Sequence, residues 1–107
     1  MSSIFVVFEV ESLADTINLA ADASKTFSQD ADGLNACNYA RAGALEAYAN
    51  VDRILNGLGG AAATTGSYPL TGYQGLSSQA DALWEQVKAT TLRCKIIGDA
   101  SVLAAGF

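Results

Sequence analysis

A chain of 107 residues is expected to form a single domain, 1–107. Half of it is hydrophobic and only 16 % is charged, against roughly 25 % in ordinary domains, so its few charges lean towards a subunit covered by neighbours. It has two cysteines and no histidine, and its net charge of −5 comes from residues 1–40, where six acids face Lys25 alone; this excludes a zinc site and argues against a nucleic-acid groove, and it suits a basic protein partner or plain solubility.

Residues 4–10, Ile-Phe-Val-Val-Phe-Glu-Val, are β-branched and aromatic almost throughout, a composition that favours an extended strand. Everything after them reads as helix, and a lone strand leaves its backbone unpaired. The segment therefore joins a helix after all, pairs with a later loop, or pairs with another subunit. Residues 1–11 are accordingly expected to be an apolar N-terminal arm. The run is no signal peptide, since it lacks a basic start and Glu9 interrupts it. The expected place of synthesis is a reducing cytoplasm, with a virion as one destination.

The spacing predicts a first helix over about 12–28, with Ser12 and Asp15 as a capping box and Leu13, Ile17, Ala20, Ser24 and Phe27 on one face beside Ala21. Residues 28–33, Ser-Gln-Asp-Ala-Asp-Gly, look briefly like a calcium loop. Aligned on Gly33, the first position is Ser28 and the twelfth Tyr39, where a carboxylate and a bidentate glutamate are needed. The segment is read as a turn that caps the next helix.

That helix, expected over 34–57, has the clearest pattern in the chain. Its inner stripe runs Leu34, Cys37, Arg41, Ala44, Tyr48, Val51, Leu55 and Leu58, widened by Leu45 and Ile54. Arg41 interrupts the stripe, either as an edge residue with its head in water or paired to a carboxylate. Residues 57–77 are rich in Gly, Ala, Thr and Ser and read as a long loop offering Tyr68, Leu70, Tyr73 and Leu76 for contact.

A third helix is expected over 78–98, with Ser78 and Asp81 as a capping box and Ala80, Leu83, Val87, Thr90, Cys94 and Ile97 as its buried stripe. Gly98 weakens the helix, and residues 99–107 are an apolar tail expected either to resume the helix or to dock elsewhere. Cys37 and Cys94 each fall on an inner stripe, so a disulfide is open to them if the helices pack antiparallel. Buried, reduced thiols are the expectation for a cytoplasmic protein.

No nucleophile–base pair can be assembled without histidine, and Gly57-Leu-Gly-Gly lacks the lysine and hydroxyl of a phosphate loop. The reading is therefore no enzyme, no catalytic, cofactor or metal site, no small-molecule substrate and no nucleic acid. No segment approaches the roughly 18 apolar residues of a membrane span.

Two local resemblances stand in the sequence. Tyr73-Gln74-Gly75-Leu76-Ser77-Ser78-Gln79-Ala80, with Glu85-Gln86 after it, resembles the second helix of the mycobacterial PE-type secreted hairpins over about a fifth of the chain. Gly98-Asp99-Ala100-Ser101-Val102-Leu103 is similar to a segment of phycobiliproteins, without their length or their pigment-binding cysteine context. Neither extends to the rest of the chain or sets its fold.

The fold class expected is all-α: a small three-helix domain with an extended apolar N-terminal segment and a long Gly/Ala/Thr-rich loop. The expected function is a structural subunit of a larger symmetric assembly, such as a virion, phage particle or filament component, as a homo-oligomer and/or beside neighbouring structural proteins. Its interface residues would be Ile4, Phe5, Val7, Phe8, Tyr68, Tyr73, Val102, Leu103 and Phe107. The alternative is a small secreted helical-hairpin or adaptor protein binding one protein partner.

Overall fold

The structure, a computed structural model, describes the backbone over residues 2–65 and 70–104 and the side chains over 8–57 and 76–102. Three helices account for the described backbone: α1 (Ser2–Ser24), α2 (Ala31–Thr65) and α3 (Leu70–Ala104). They run up, down and up, each packing on both others. At about 1.5 Å rise per residue, the two 35-residue helices account for most of the 60 Å long axis. The fold is all-α, with no strand among the described residues.

The inner stripes meet along the bundle axis. Ile17 from α1, Val51 from α2 and Val87 from α3 are buried in one cluster with Val10, Ala44, Leu55 and Leu83. Alanine supplies much of the remainder, so the helix backbones can approach closely. Among the described residues two buried hydroxyls serve their own helices: Ser24 Oγ donates to the Ala21 carbonyl at 2.7 Å and Thr90 Oγ1 to that of Gln86 at 2.9 Å. Neither needs a partner across the core.

The segment expected to be extended is helical. Val10 is 0 % exposed and continues the stripe of Ala14, Ile17 and Ala21 upstream. Burying Val10 in that cluster outweighs the modest strand preference of Ile, Val and Phe, which is itself largely a packing preference. Ser12 therefore lies inside α1 and caps nothing, and Thr16 Oγ1 donates to its carbonyl at 3.3 Å.

The loop expected over 57–77 also gives way to helix on both sides. Its residues 66–69 lie outside the described backbone. Glycines at 57, 59 and 60 each cost a helix about 1 kcal/mol relative to alanine, but Ala61 to Ala63 follow at once. On α3 the buried Leu76 extends the stripe ahead of Ala80, so the helix begins at Leu70 and Ser78 is interior rather than a cap. Of the two outcomes open to the tail from residue 99, it continues the helix as far as Ala104.

The segment between α1 and α2 does cap the second helix, but α2 begins at Ala31 rather than Leu34 and Asp30 is the cap. Its Oδ1 accepts from Gly33 N at 2.9 Å and from Ser28 Oγ at 2.8 Å, and Leu34 N donates to its carbonyl at 2.9 Å. Those hydrogen bonds, from Gly33 first and Ser28 second, hold the Asp30 carboxyl below its ordinary value of 3.8. A lowered folded-state value contributes stability that is present above about pH 4 and lost as the pH falls through the folded value. The gap in urea midpoint between wild type and Asp30→Asn should accordingly close in acid. A gap that stays constant down to the acid limb would contradict the cap.

Gly33 is required for a steric reason. A Cβ there would lie 1.7 Å from the Ser28 carbonyl oxygen and 2.7 Å from its Oγ, so the turn itself would have to move. Gly33→Ala should cost roughly 1–3 kcal/mol, in the range of overpacking substitutions. A urea midpoint unchanged from wild type would show that the turn yields freely.

One expectation is corrected outright. Cys37 and Cys94 are joined in a disulfide, with a Cα–Cα separation of 5.5 Å, not held as free thiols. Antiparallel packing sets the start of α2 against the end of α3, and both residues already faced inward. Phe27, Leu34 and Ile97 pack around the bond. Nearby, Arg93 Nε donates to the carbonyl of Ser24 at 3.3 Å, satisfying a carbonyl at the end of α1 and tying it to α3. All three helices are therefore fixed at this end of the bundle.

Candidate functional site

The outer surface is where the bundle departs from an ordinary small domain. On α1, Phe8 and Leu19 point away from the core and are 71 % and 69 % exposed. On α3, Leu92 and Ile96, one turn apart, are 59 % and 43 % exposed, and both lie opposite the buried stripe of Leu83, Val87 and Cys94. These are second apolar stripes on helices whose first stripe is already used. The outer side of α2 is polar by comparison, carrying Asn35, Asn38, Glu46 and Arg53 with the single exposed aromatic Tyr39.

Two grooves flank α3. Towards α1, Ala21, Ser24 and Lys25 face Gln86, Ala89, Leu92, Arg93 and Ile96 around a space of ≈ 290 Å³. Towards α2 a larger groove of ≈ 410 Å³ has Leu45, Trp84, Val87 and Leu92 as its apolar surface. Arg41, Lys88 and Lys95 edge it. These are half of the six cations in the chain. The rings of Trp84 and Tyr48 lie 4.9 Å apart at an interplanar angle of 40°, bracing α2 against α3 there. Burial, with the Asp52 and Asp81 carboxylates nearby, raises the Tyr48 phenol above its ordinary value, so it stays neutral.

The cations of this groove are lightly held. Lys88 pairs with Glu85 at 2.8 Å and Lys95 with Asp99 at 3.0 Å, both on the exposed surface of α3, where such pairs contribute little. Arg41 is half-buried at the groove edge, as its place in the stripe suggested, and joins none of the ion pairs among the described residues.

The interface residues read from the sequence are placed as follows. Phe8 and Val102 are exposed. Ile4, Phe5 and Val7 stand on α1, and Tyr73 and Leu103 on α3, with side chains outside the described residues. Tyr68 and Phe107 lie outside the described residues altogether. Leu19, Leu92 and Ile96 were not singled out in the sequence, although the four-residue spacing of Leu92 and Ile96 opposite the Cys94 stripe is the pattern that would have found them. Leu76 was grouped with loop contacts and is instead buried in the core.

What the arrangement offers chemically is contact: apolar ridges, a cation-edged groove and an acidic α1 surface of Glu11, Asp15 and Asp22. No helix is long and apolar enough to cross a membrane among the described residues. No protein-family model, curated protein or solved structure matches the chain. The chain is a three-helix bundle closed by a disulfide between its second and third helices.

Proposed function

We propose that the chain is a non-enzymatic structural subunit of a larger symmetric assembly, of the kind found in a virion, phage particle or filament. The observation that carries this reading is the paired outer stripe, Phe8 with Leu19 on α1 and Leu92 with Ile96 on α3. Scattered single apolar residues are normal on a protein surface. Large apolar residues repeated along two helices, on a chain only 16 % charged, are better accounted for by neighbours that cover them. In this reading Ile4, Phe5 and Val7 near the beginning of the sequence, Val102, Leu103 and Phe107 near its end, and Tyr68 and Tyr73 between them supply further contacts.

The second reading, a secreted helical-hairpin or adaptor protein with one protein partner, is favoured by a different observation. A disulfide buried in the bundle suits an oxidising compartment better than a reducing cytoplasm. A protein that binds one partner would travel as a monomer or a heterodimer.

Removing residues 1–8 tests the first reading. Multi-angle light scattering should then report single chains where the full-length protein forms multimers, while the helical circular-dichroism signal stays largely intact. Unfolding of the shortened chain would assign those residues to its own core and take away the support they give to assembly.

A further inference from the structure

We propose that a second copy of this chain seats the outer face of its α1 helix in the groove between α2 and α3. The inference rests on the assembly reading and names the contact that would build it. Charge is the first argument. The outer face of α1 repeats at helical spacing as Phe8, Glu11, Asp15, Leu19 and Asp22, all exposed, so it is an apolar ridge bordered by carboxylates. The groove is its complement, with Leu45, Trp84 and Leu92 bordered by Arg41, Lys88 and Lys95. Residues 1–40 hold the chain's whole net negative charge, and the groove holds half of its cations, so the two surfaces attract when chains approach.

Length is the second argument. From Phe8 to Asp22 the ridge covers about 21 Å at about 1.5 Å per residue. Beyond Lys95 the groove continues past Arg41 and Thr91 to Leu34 and Gly98, so along α3 from Trp84 to Gly98 it also covers about 21 Å. Gly98 has no side chain to fill that end, where only the methyls of Leu34 lie near the position a Cβ would take. A helix laid there would complete a four-helix arrangement around α2 and α3, with the copy's α1 on the flank opposite the chain's own α1. The Lys88–Glu85 and Lys95–Asp99 pairs are exposed and weak enough to exchange for the incoming carboxylates.

Direction follows from the same geometry. Within one chain, Arg93 reaches Ser24 of α1 from one flank of α3, and Trp84, Lys88 and Lys95 line the groove on the other. Ridge and groove therefore face away from each other. Two copies cannot satisfy both at once, so each copy passes its ridge to the next and the contact repeats head to tail into a ring or filament.

Two full-length oxidised variants test this, Leu19→Lys on the ridge and Leu92→Glu in the groove, both at exposed positions and both checked for unchanged helical signal. Wild type should multimerise, and each variant alone should run as a single chain. An equimolar mixture should form a dimer containing one chain of each, because the first variant keeps a sound groove and the second a sound ridge. If a variant loses its helical signal, Asp15→Lys or Lys88→Glu takes its place with the same expectation. Variants that multimerise like wild type would overturn the contact and leave the assembly reading standing. A mixture that stays single-chained would overturn the head-to-tail pairing, and wild type that stays single-chained would remove both readings together.

Discussion

Replacing both cysteines, Cys37→Ala with Cys94→Ala, should lower the free energy of unfolding by about 4 kcal/mol. The bond joins residues 57 apart in sequence, and closing a loop of that length in the unfolded chain removes entropy worth about 4 kcal/mol at 25 °C. A small domain has about 5–15 kcal/mol in total, so the loss is a large fraction of the whole. Both positions are nearly inaccessible and sit among Phe27, Leu34 and Ile97, so the small space the two sulfur atoms vacate adds to the loss. Urea unfolding monitored by circular dichroism reads the change directly, and a midpoint equal to wild type would mean the unfolded chain is not restrained by the bond.

The second large effect is expected at Ile17. Its side chain is fully buried where α1 meets α2 and α3, in the cluster that also holds Val51 and Val87. Ile17→Ala removes buried methyl groups and leaves a space that the surrounding helices can close only in part, which costs about 2–5 kcal/mol. The substitution also tests whether α1 is an integral third of the bundle. If it were a docked arm of little energetic weight, the free energy of unfolding obtained from urea titration would change by less than about 0.5 kcal/mol, the ordinary range for surface changes.

The inner surface of this bundle was largely legible in the sequence. All six stripe residues assigned to α3, from Ala80 to Ile97, are buried, as are Cys37, Ala44, Val51 and Leu55 on α2. Periodicity reports which side of a helix is apolar, and that is enough to place a core. The helix starts were less legible because capping patterns are local: Ser12–Asp15 and Ser78–Asp81 have the right residues, yet Val10 and Leu76 are buried just upstream and carry the helices past them. The disulfide could not be fixed because periodicity gives rotation and not axial alignment. Whether Cys37 and Cys94 meet depends on where α2 ends and α3 begins, and the Gly/Ala/Thr-rich stretch between them hid both points. The outer stripes escaped notice for a simpler reason. Leu92 and Ile96 are spaced like a second stripe, yet the stripe through Cys94 already gives that helix an apolar side, and Leu19 shares its outer face with no large apolar residue nearer than Phe8.

Sedimentation velocity of the oxidised full-length protein over a wide range of concentrations tests the assembly reading most directly. The account predicts a sedimentation coefficient that climbs with concentration well above that of one elongated chain, and climbs less at high salt, which screens the exposed charges of α1 and the groove. A single species with the mass of one chain at every concentration would contradict it.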